Sequence, residues 1–138
     1  MYTVDDCKLI DFTEHGDDRG KLVVVEGGTG KHVPFDIKRA FYIYGTQPGT
    51  VRGDHANKLS QFCLINVCGS CIIKVTDQNL EEKVFTIDKP HVGLYMPQML
   101  WKTMYDFSSD CILLILSSEY YDKAEYIYDF QSYGVKNG

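Results

Sequence analysis

Short runs rich in β-branched and aromatic residues, each closed off by Gly, Pro, Asp or Asn, restrict this chain to an all-β sandwich or barrel. They predict strands over residues 21–26, 38–44, 59–68, 70–76, 82–87, 92–96, 101–107 and 111–116. Helical periodicity is almost absent before residue 117. Gly69-Ser70 and Asp77-Gln78-Asn79 are tight-turn material, which points to a locally connected antiparallel sheet. Pro90 and Pro97 sit where strands begin or end, so the ladders keep their donors. Beyond Ser117 the pattern changes. Glu119, Tyr120, Tyr121, Lys123, Ala124, Ile127 and Tyr128 are spaced for one short amphipathic helix, with Ser118 as its cap and Glu119 and Lys123 as an i, i+4 pair. Its tyrosines are expected to pack on the barrel or on a partner subunit.

A length of 138 residues fits one domain, 1–138. The formal charge of −5 and the lack of a basic run argue against a nucleic-acid binder, so an anionic ligand must be met by local cations. The longest uncharged stretch, 59–73, is broken by Ser60, Gln61, Asn66, Gly69 and Ser70 and reads as two strands and a turn, with no membrane span. No basic-then-apolar leader opens the chain, and a cytoplasmic protein is expected. Five cysteines, an odd number, fit reduced thiols better than a disulfide framework. Cys68-Gly69-Ser70-Cys71 spells C-x-x-C, but no second pair and no following helix support a zinc or redox role.

Two segments then stand out. Gly53-Asp54-His55-Ala56-Asn57, followed by Gln61 and Gly69, and Gly93-Leu94-Tyr95-Met96-Pro97, followed by Trp101-Lys102, resemble the two-part signature of the cupins. A metal-binding cupin carries His-x-His, a Glu, and a later His, donors suited to a divalent transition ion. Here His55 alone survives. Asn57 and Gln61 offer neutral oxygens, and Lys102 brings a positive charge. These positions predict a barrel without metal or other cofactor, in which a lone imidazole moves protons near neutral pH.

A narrower resemblance follows from Pro34-Phe35-Asp36-Ile37-Lys38-Arg39, Arg52-Gly53-x-His55, Gly93-Leu94-Tyr95, Trp101, Asp106-Phe107 and Ser118-Glu119-Tyr120-Tyr121-Asp122. In order and spacing these runs resemble the sugar-nucleotide 3,4-ketoisomerases of dTDP-hexose biosynthesis. The resemblance implies a metal-free cupin-type jelly roll, to which the spacing after Ser117 adds the short C-terminal helix, and commonly an intertwined homodimer. It also implies a dTDP-linked 4-keto-6-deoxyhexose as substrate and its 3-keto isomer as product, on the way to 3-amino-3,6-dideoxy sugars.

In that family the histidine after Arg-Gly-x is the proposed base, which puts His55 in the catalytic role. Moving a carbonyl from C4 to C3 removes a C3 proton, forms an enediol and delivers a proton to C4, and one imidazole can serve both steps. Arg39 and Arg52 are candidates for the pyrophosphate, because guanidinium forks match phosphate oxygens. Strand parity sets Arg39 on one face with Ile37 and Phe41. Tyr95 and Trp101 are candidates to stack on thymine or floor the pocket. Asn57 and Lys102 are candidates to stabilise the enediolate.

Arg19, in a turn, and Lys102 occupy positions that help set the C4 configuration in the family. The chain departs from its relatives at Asn57, where they carry His, at Phe41, where they carry Tyr, at Asp54, where they carry a bulky residue, and at Lys102, where they carry His or Arg. Asp54 and His55 should point to opposite faces of an extended strand, so no His-Asp dyad is assigned. Three other readings compete: a 3,5-epimerase acting on the same nucleotide sugar, a non-catalytic sugar-nucleotide binding module, and a metal-dependent enzyme.

Overall fold

A computed structural model describes residues 1–134. Two five-stranded antiparallel sheets face each other in a cupin-type jelly roll. One holds β1 (Lys8–Asp11), β9 (Val92–Met96), β6 (Phe62–Cys68), β11 (Ile112–Ser117) and β4 (Arg39–Tyr44), in that order. The other runs β12 (Tyr126–Ile127), β5 (Arg52–Asn57), β10 (Trp101–Tyr105), β7 (Cys71–Thr76) and β8 (Glu82–Ile87). A hairpin of β2 (Glu14–Asp17) and β3 (Gly20–Val23) pairs with neither sheet. No helix of the described residues is long and apolar enough to cross a membrane.

The core lies between the sheets. Phe62 and Leu64 of β6, Leu94 and Met96 of β9, and Leu113 and Ile115 of β11 meet Ile73, Val75, Phe85, Ile87 and Met104 from the other sheet. Alternate residues of the first sheet point outward, yet they are buried too. Cys63, Ile65 and Leu116 pack under Phe12, Val33 and Phe35, which a non-strand segment lays over that face. Covered on both sides, β6 reads as a continuous apolar run, Phe62 to Ile65, rather than an alternating one.

At one end of the barrel Asn66 ties the two sheets together. Its Nδ2 donates to the Ile87 carbonyl at 2.7 Å and lies 3.2 Å from the Cys71 sulfur, while the Cys111 thiol donates to its Oδ1 at 3.1 Å. The thiols of Cys7, Cys63 and Cys111 are pushed up to about 12 by burial, so they act as small core groups. Cys71, raised in the same way, belongs with them.

The expected strands are present, 82–87 and 92–96 with their bounds unchanged and the others with ends shifted by up to three residues. Of the expected local pairings, β7 and β8 form a hairpin whose turn is held by Asp77 Oδ1, which accepts from the amides of Asn79 and Glu81. Gly69-Ser70 instead carries the chain from one sheet to the other. Gly69 has φ +72°, and a Cβ there would stand 2.3 Å from the Ser108 Oγ. The other neighbours, β1 with β9 and β4 with β11, are far apart in sequence.

The helix expected over 119–128 is corrected. That segment holds a 3-10 turn at Lys123–Glu125 and the two-residue strand β12, and the one short helix, α1, comes later, at Phe130–Tyr133. Tertiary bonds override the helical spacing. Ser118 does not cap a helix, because its Oγ accepts from the Gln61 amide at 2.9 Å. Glu119 reaches Lys38 at 3.9 Å instead of Lys123. Asp122 and Asp129 supply the caps, each accepting from the amide two residues on.

The Asn66 clamp yields a stability prediction. Asn66→Ala strands the buried Ile87 carbonyl and should cost about 1–3 kcal/mol. Urea unfolding should show this as a lower midpoint with unchanged slope.

Candidate active site

The site begins with one extra residue. Along the β5–β10 ladder, Lys102 pairs with His55, then Thr103 with Gly53 and Met104 with Arg52, so Asp54 has no partner and forms a β-bulge. The sequence permits it at Gly53, whose φ is +85° and where a Cβ would stand 2.7 Å from the Lys102 carbonyl. Asp54 follows at φ +53° and is held by Thr103, whose Oγ1 donates to its Oδ1 at 3.0 Å. Across a regular strand, residues three apart face opposite ways. The bulge cancels that alternation and puts Arg52 on the same face as His55.

Asn57, two residues beyond His55, shares that inner face, as does Lys102 opposite. Lys102 is 3% exposed, and its Nζ stands 4.0 Å from the Phe62 ring centroid. Arg39, from β4 in the other sheet, stacks its guanidinium 4.9 Å from Phe41 and 5.7 Å from Tyr121, and its Nη2 donates weakly to Ser117 Oγ at 3.4 Å. Among the described residues no carboxylate lies within ion-pair distance of Lys102 or Arg39. The Arg39 Nε and the Asn57 Nδ2 are buried with no hydrogen-bond partner. Two cations and two orphaned donors in the mouth of an acidic protein suit an anionic, oxygen-rich ligand.

Electrostatics tune the His55 ring. Burial, then the Lys102 charge, holds the His55 imidazole below its ordinary value of 6.5. Burial, then the nearby Arg39, lowers Lys102 from 10.5 to about 8. The His55 Nδ1 lies 3.0 Å from the Gly53 carbonyl, which can only accept; the neutral ring therefore carries its proton on Nδ1 and keeps the Nε2 lone pair. Tyr126 and Tyr128 flank the ring, with centroids at 4.9 and 5.7 Å.

Not every candidate joins this face. Trp101 turns to the opposite side of its sheet, packed against Ala56 and Tyr133 and 4.9 Å from Phe130, with its amide donating to the Tyr133 hydroxyl. Tyr95 lies on the outer face of the first sheet beside Phe35, its hydroxyl donating to Gln61 Oε1 at 2.6 Å. Strand alternation separates both from His55, as it separates Asp54. Arg19 sits exposed on the β2–β3 hairpin, 2.7 Å from Asp17. Arg52 shares the His55 face but is exposed, at the start of β5. Sequence reasoning passed over Tyr121, Tyr126 and Tyr128 as site residues. The signal was the two-residue alternation of Tyr126-Ile127-Tyr128, overshadowed by a helical reading of the longer segment.

The buried ammonium makes a prediction with a definite sign. Folded Lys102 releases its proton near about 8 and the unfolded chain near 10.5, so holding the charge costs up to ~3 kcal/mol below pH 8, and the cost fades as pH rises toward 10.5. Lys102→Met should therefore be more stable than wild type at pH 7, and the difference should shrink between pH 8 and 10.5, read by chemical denaturation across that range.

Comparisons with known proteins converge on this architecture. The FdtA model, described as WxcM-like, C-terminal, matches residues 5–137. The TDP-4-oxo-6-deoxy-α-D-glucose-3,4-oxoisomerase of Aneurinibacillus thermoaerophilus is 40% identical over 126 residues, which is 91% of this chain and 88% of that protein. The structure of WlaRA, a TDP-fucose-3,4-ketoisomerase from Campylobacter jejuni, superposes with a TM-score of 0.86 at 39% identity, covering 93% of both chains. A His-to-Asn variant of the 3,4-ketoisomerase QdtA from Thermoanaerobacterium thermosaccharolyticum, in complex with TDP-4-keto-6-deoxyglucose, gives 0.87 at 38% identity, covering 93% of this chain and 91% of that one. With its jelly roll, its single inward histidine and a family model spanning nearly its whole length, the chain belongs to the FdtA family together with these 3,4-ketoisomerases.

Proposed function

We propose that the protein is a 3,4-ketoisomerase of a dTDP-linked 4-keto-6-deoxy sugar, with His55 as its single base and acid. The observation that carries this reading is the His55 ring itself: Nδ1 tied to the Gly53 carbonyl, Nε2 left basic, and a cation directly opposite on β10. Nε2 takes the proton from C3, made acidic by the C4 carbonyl. The electron pair moves into the C3–C4 enediolate, the hydroxyl proton passes from the C3 oxygen to the C4 oxygen, and the imidazolium returns its proton to C4 as the C3 oxygen becomes the carbonyl. Lys102 and the Asn57 amide stabilise the oxygen that gains charge, help that can be worth ~3 kcal/mol per donor. Arg39 and Arg52 meet the pyrophosphate.

The lowered imidazole is suited to this work. A base that is already neutral at pH 7 need not be deprotonated first, and a nearby ammonium that disfavours imidazolium also favours enediolate. Resident metal has no assigned role: His55, Asn57 and Lys102 are one ligand, one neutral amide and one cation. We further propose a homodimer. Among the described residues the β2–β3 hairpin pairs with no further strand, and Leu22 and Val24 are exposed on and beside it, which suits burial against a second copy. Arg19 would then serve the site from that hairpin. Five unpaired thiols suit a reducing compartment, and we place the enzyme in the cytoplasm.

Proton NMR of dTDP-4-keto-6-deoxyglucose incubated with the protein should show a 3-keto sugar, with none from His55→Asn; the H4 couplings report the C4 configuration. Tight dTDP binding without turnover would make the protein a binding module, the outcome that Asn57 and Phe41 would then explain. Proton exchange at C5 in deuterated water would make it an epimerase.

The pH dependence of kcat/KM should be bell-shaped. It rises with pH through the deprotonation of His55, at a midpoint below 6.5, and falls as Lys102 loses its charge near about 8. Lys102→Arg should keep the acid limb and carry the alkaline limb beyond pH 9, roughly, since a guanidinium does not titrate in this range.

A further inference from the structure

Residues 118–128 form a strap across the barrel mouth, fastened to the segment just before β6, at its start by Gln61 and further along by Ser60 and Lys58. At its start Ser118 exchanges bonds with Gln61: the Ser118 amide donates to the Gln61 carbonyl at 3.0 Å, and the Gln61 amide donates to Ser118 Oγ at 2.9 Å. Further along, Glu125 is 3% exposed, and both of its carboxylate oxygens are taken by Ser60, the amide at 3.0 Å and the hydroxyl at 2.8 Å. The Glu125 carbonyl accepts from the Lys58 amide at 2.9 Å. Between these two attachments residues 120–122 are exposed. Immediately after Glu125, Tyr126 and Ile127 pair with Asn57 and Ala56, and Tyr126 and Tyr128 come to rest against the His55 ring.

A buried carboxylate bonded to neutral donors is an expensive fastener, because desolvation disfavours its charge and an apolar side chain would fill the same space at less cost. A two-residue strand cannot hold its own register, so something outside it must fix where Tyr126 lands. The Glu125 carboxylate is not among the groups that shift His55, which are Lys102 from β10 and, on its own strand, Gly53, Asp54 and Asn57. Any influence of Glu125 on the imidazole therefore passes through the position of the strap.

We infer that Glu125 is a positioning residue: by latching onto Ser60 it sets the register of β12 and so holds the Tyr126–Tyr128 wall against the catalytic imidazole. This rests on the reading of His55 as the base. The wall does two things for that ring. It stops rotation that would break the Nδ1 bond to Gly53, and it keeps water from the side that Lys102 does not cover. Releasing the latch frees the wall, hydrates the imidazole and lets it hold a proton more readily. Lys102, Tyr126 and Tyr128 are the titratable groups facing the ring, with Arg39 beyond Lys102 and Asp54 on the opposite face of β5.

The test combines an NMR titration of the His55 imidazole without substrate with kcat and KM for Glu125→Ala, Glu125→Gln and Ser60→Ala. In Glu125→Ala the midpoint should move up toward 6.5 and kcat should fall about ten-fold, with KM changing less, because orientation of the base is a transition-state effect. Glu125→Gln should restore both, since its amide oxygen still accepts from the Ser60 amide and its NH2 donates to the Ser60 hydroxyl. Ser60→Ala, which leaves the backbone donor, should fall between. If Glu125→Ala does not fold, Tyr126→Leu decides, and should move the midpoint in the same direction. A wild-type midpoint and kcat in folded Glu125→Ala overturn the latch. Full turnover by His55→Asn, measured alongside, would instead overturn the reading of His55.

Discussion

Everything functional in this barrel hangs on the ladder between β5 and β10 and on the single residue by which it is out of step. An unbulged β5 would aim Arg52 away from His55. Asp54 absorbs the extra step, anchored sideways by Thr103, and Gly53 provides the close approach to the Lys102 backbone that a side chain would forbid. The same Gly53 carbonyl then fixes the tautomer of the ring two residues on. Strand irregularity here sets both the direction and the tautomer of the His55 ring.

The second constraint is electrostatic. The protein carries net negative charge, yet its barrel mouth concentrates Lys102 and Arg39 with no carboxylate among the described residues to neutralise them. Folding sets them in place at a cost in free energy, which an anionic ligand would offset by supplying the missing counter-charge. Such sites are stable in proportion to what they bind, so occupancy and stability become one property. Phe41 and Phe62 offer ring faces to these cations, softening the cost without competing for the charge as an acid would.

Much of this was legible in the sequence where one physical rule dominated. The apolar runs of β6, β7, β9 and β11 announced themselves, because burial on one or both faces leaves little room for polar residues. His55, Asn57, Arg39 and Lys102 were named as site residues from the motif and do meet on one side of the barrel. β5 was not visible as a strand, since Arg-Gly-Asp-His-Ala-Asn contains no β-branched or aromatic residue; its place in the sheet comes from neighbours on both sides. Trp101 and Tyr95 looked like pocket residues because aromatics near a motif invite that reading, whereas one step of strand alternation turns each away. The segment after Ser117 failed most instructively. Its spacing satisfied a helix, but Gln61 and Ser60 draw off Ser118 and Glu125 into tertiary bonds, and local propensity yields.

The order of strands in the first sheet has a consequence for how the molecule comes into being. β6 sits between β9 and β11, both of which follow it along the chain, and β4 has no sheet neighbour until β11 arrives. A chain growing from its N-terminus must therefore carry Phe62, Leu64 and Ile65 uncovered until residue 117 is available. The chain through residue 117 has to be synthesised before its central strand can be enclosed, which makes folding cooperative and dependent on non-local closure.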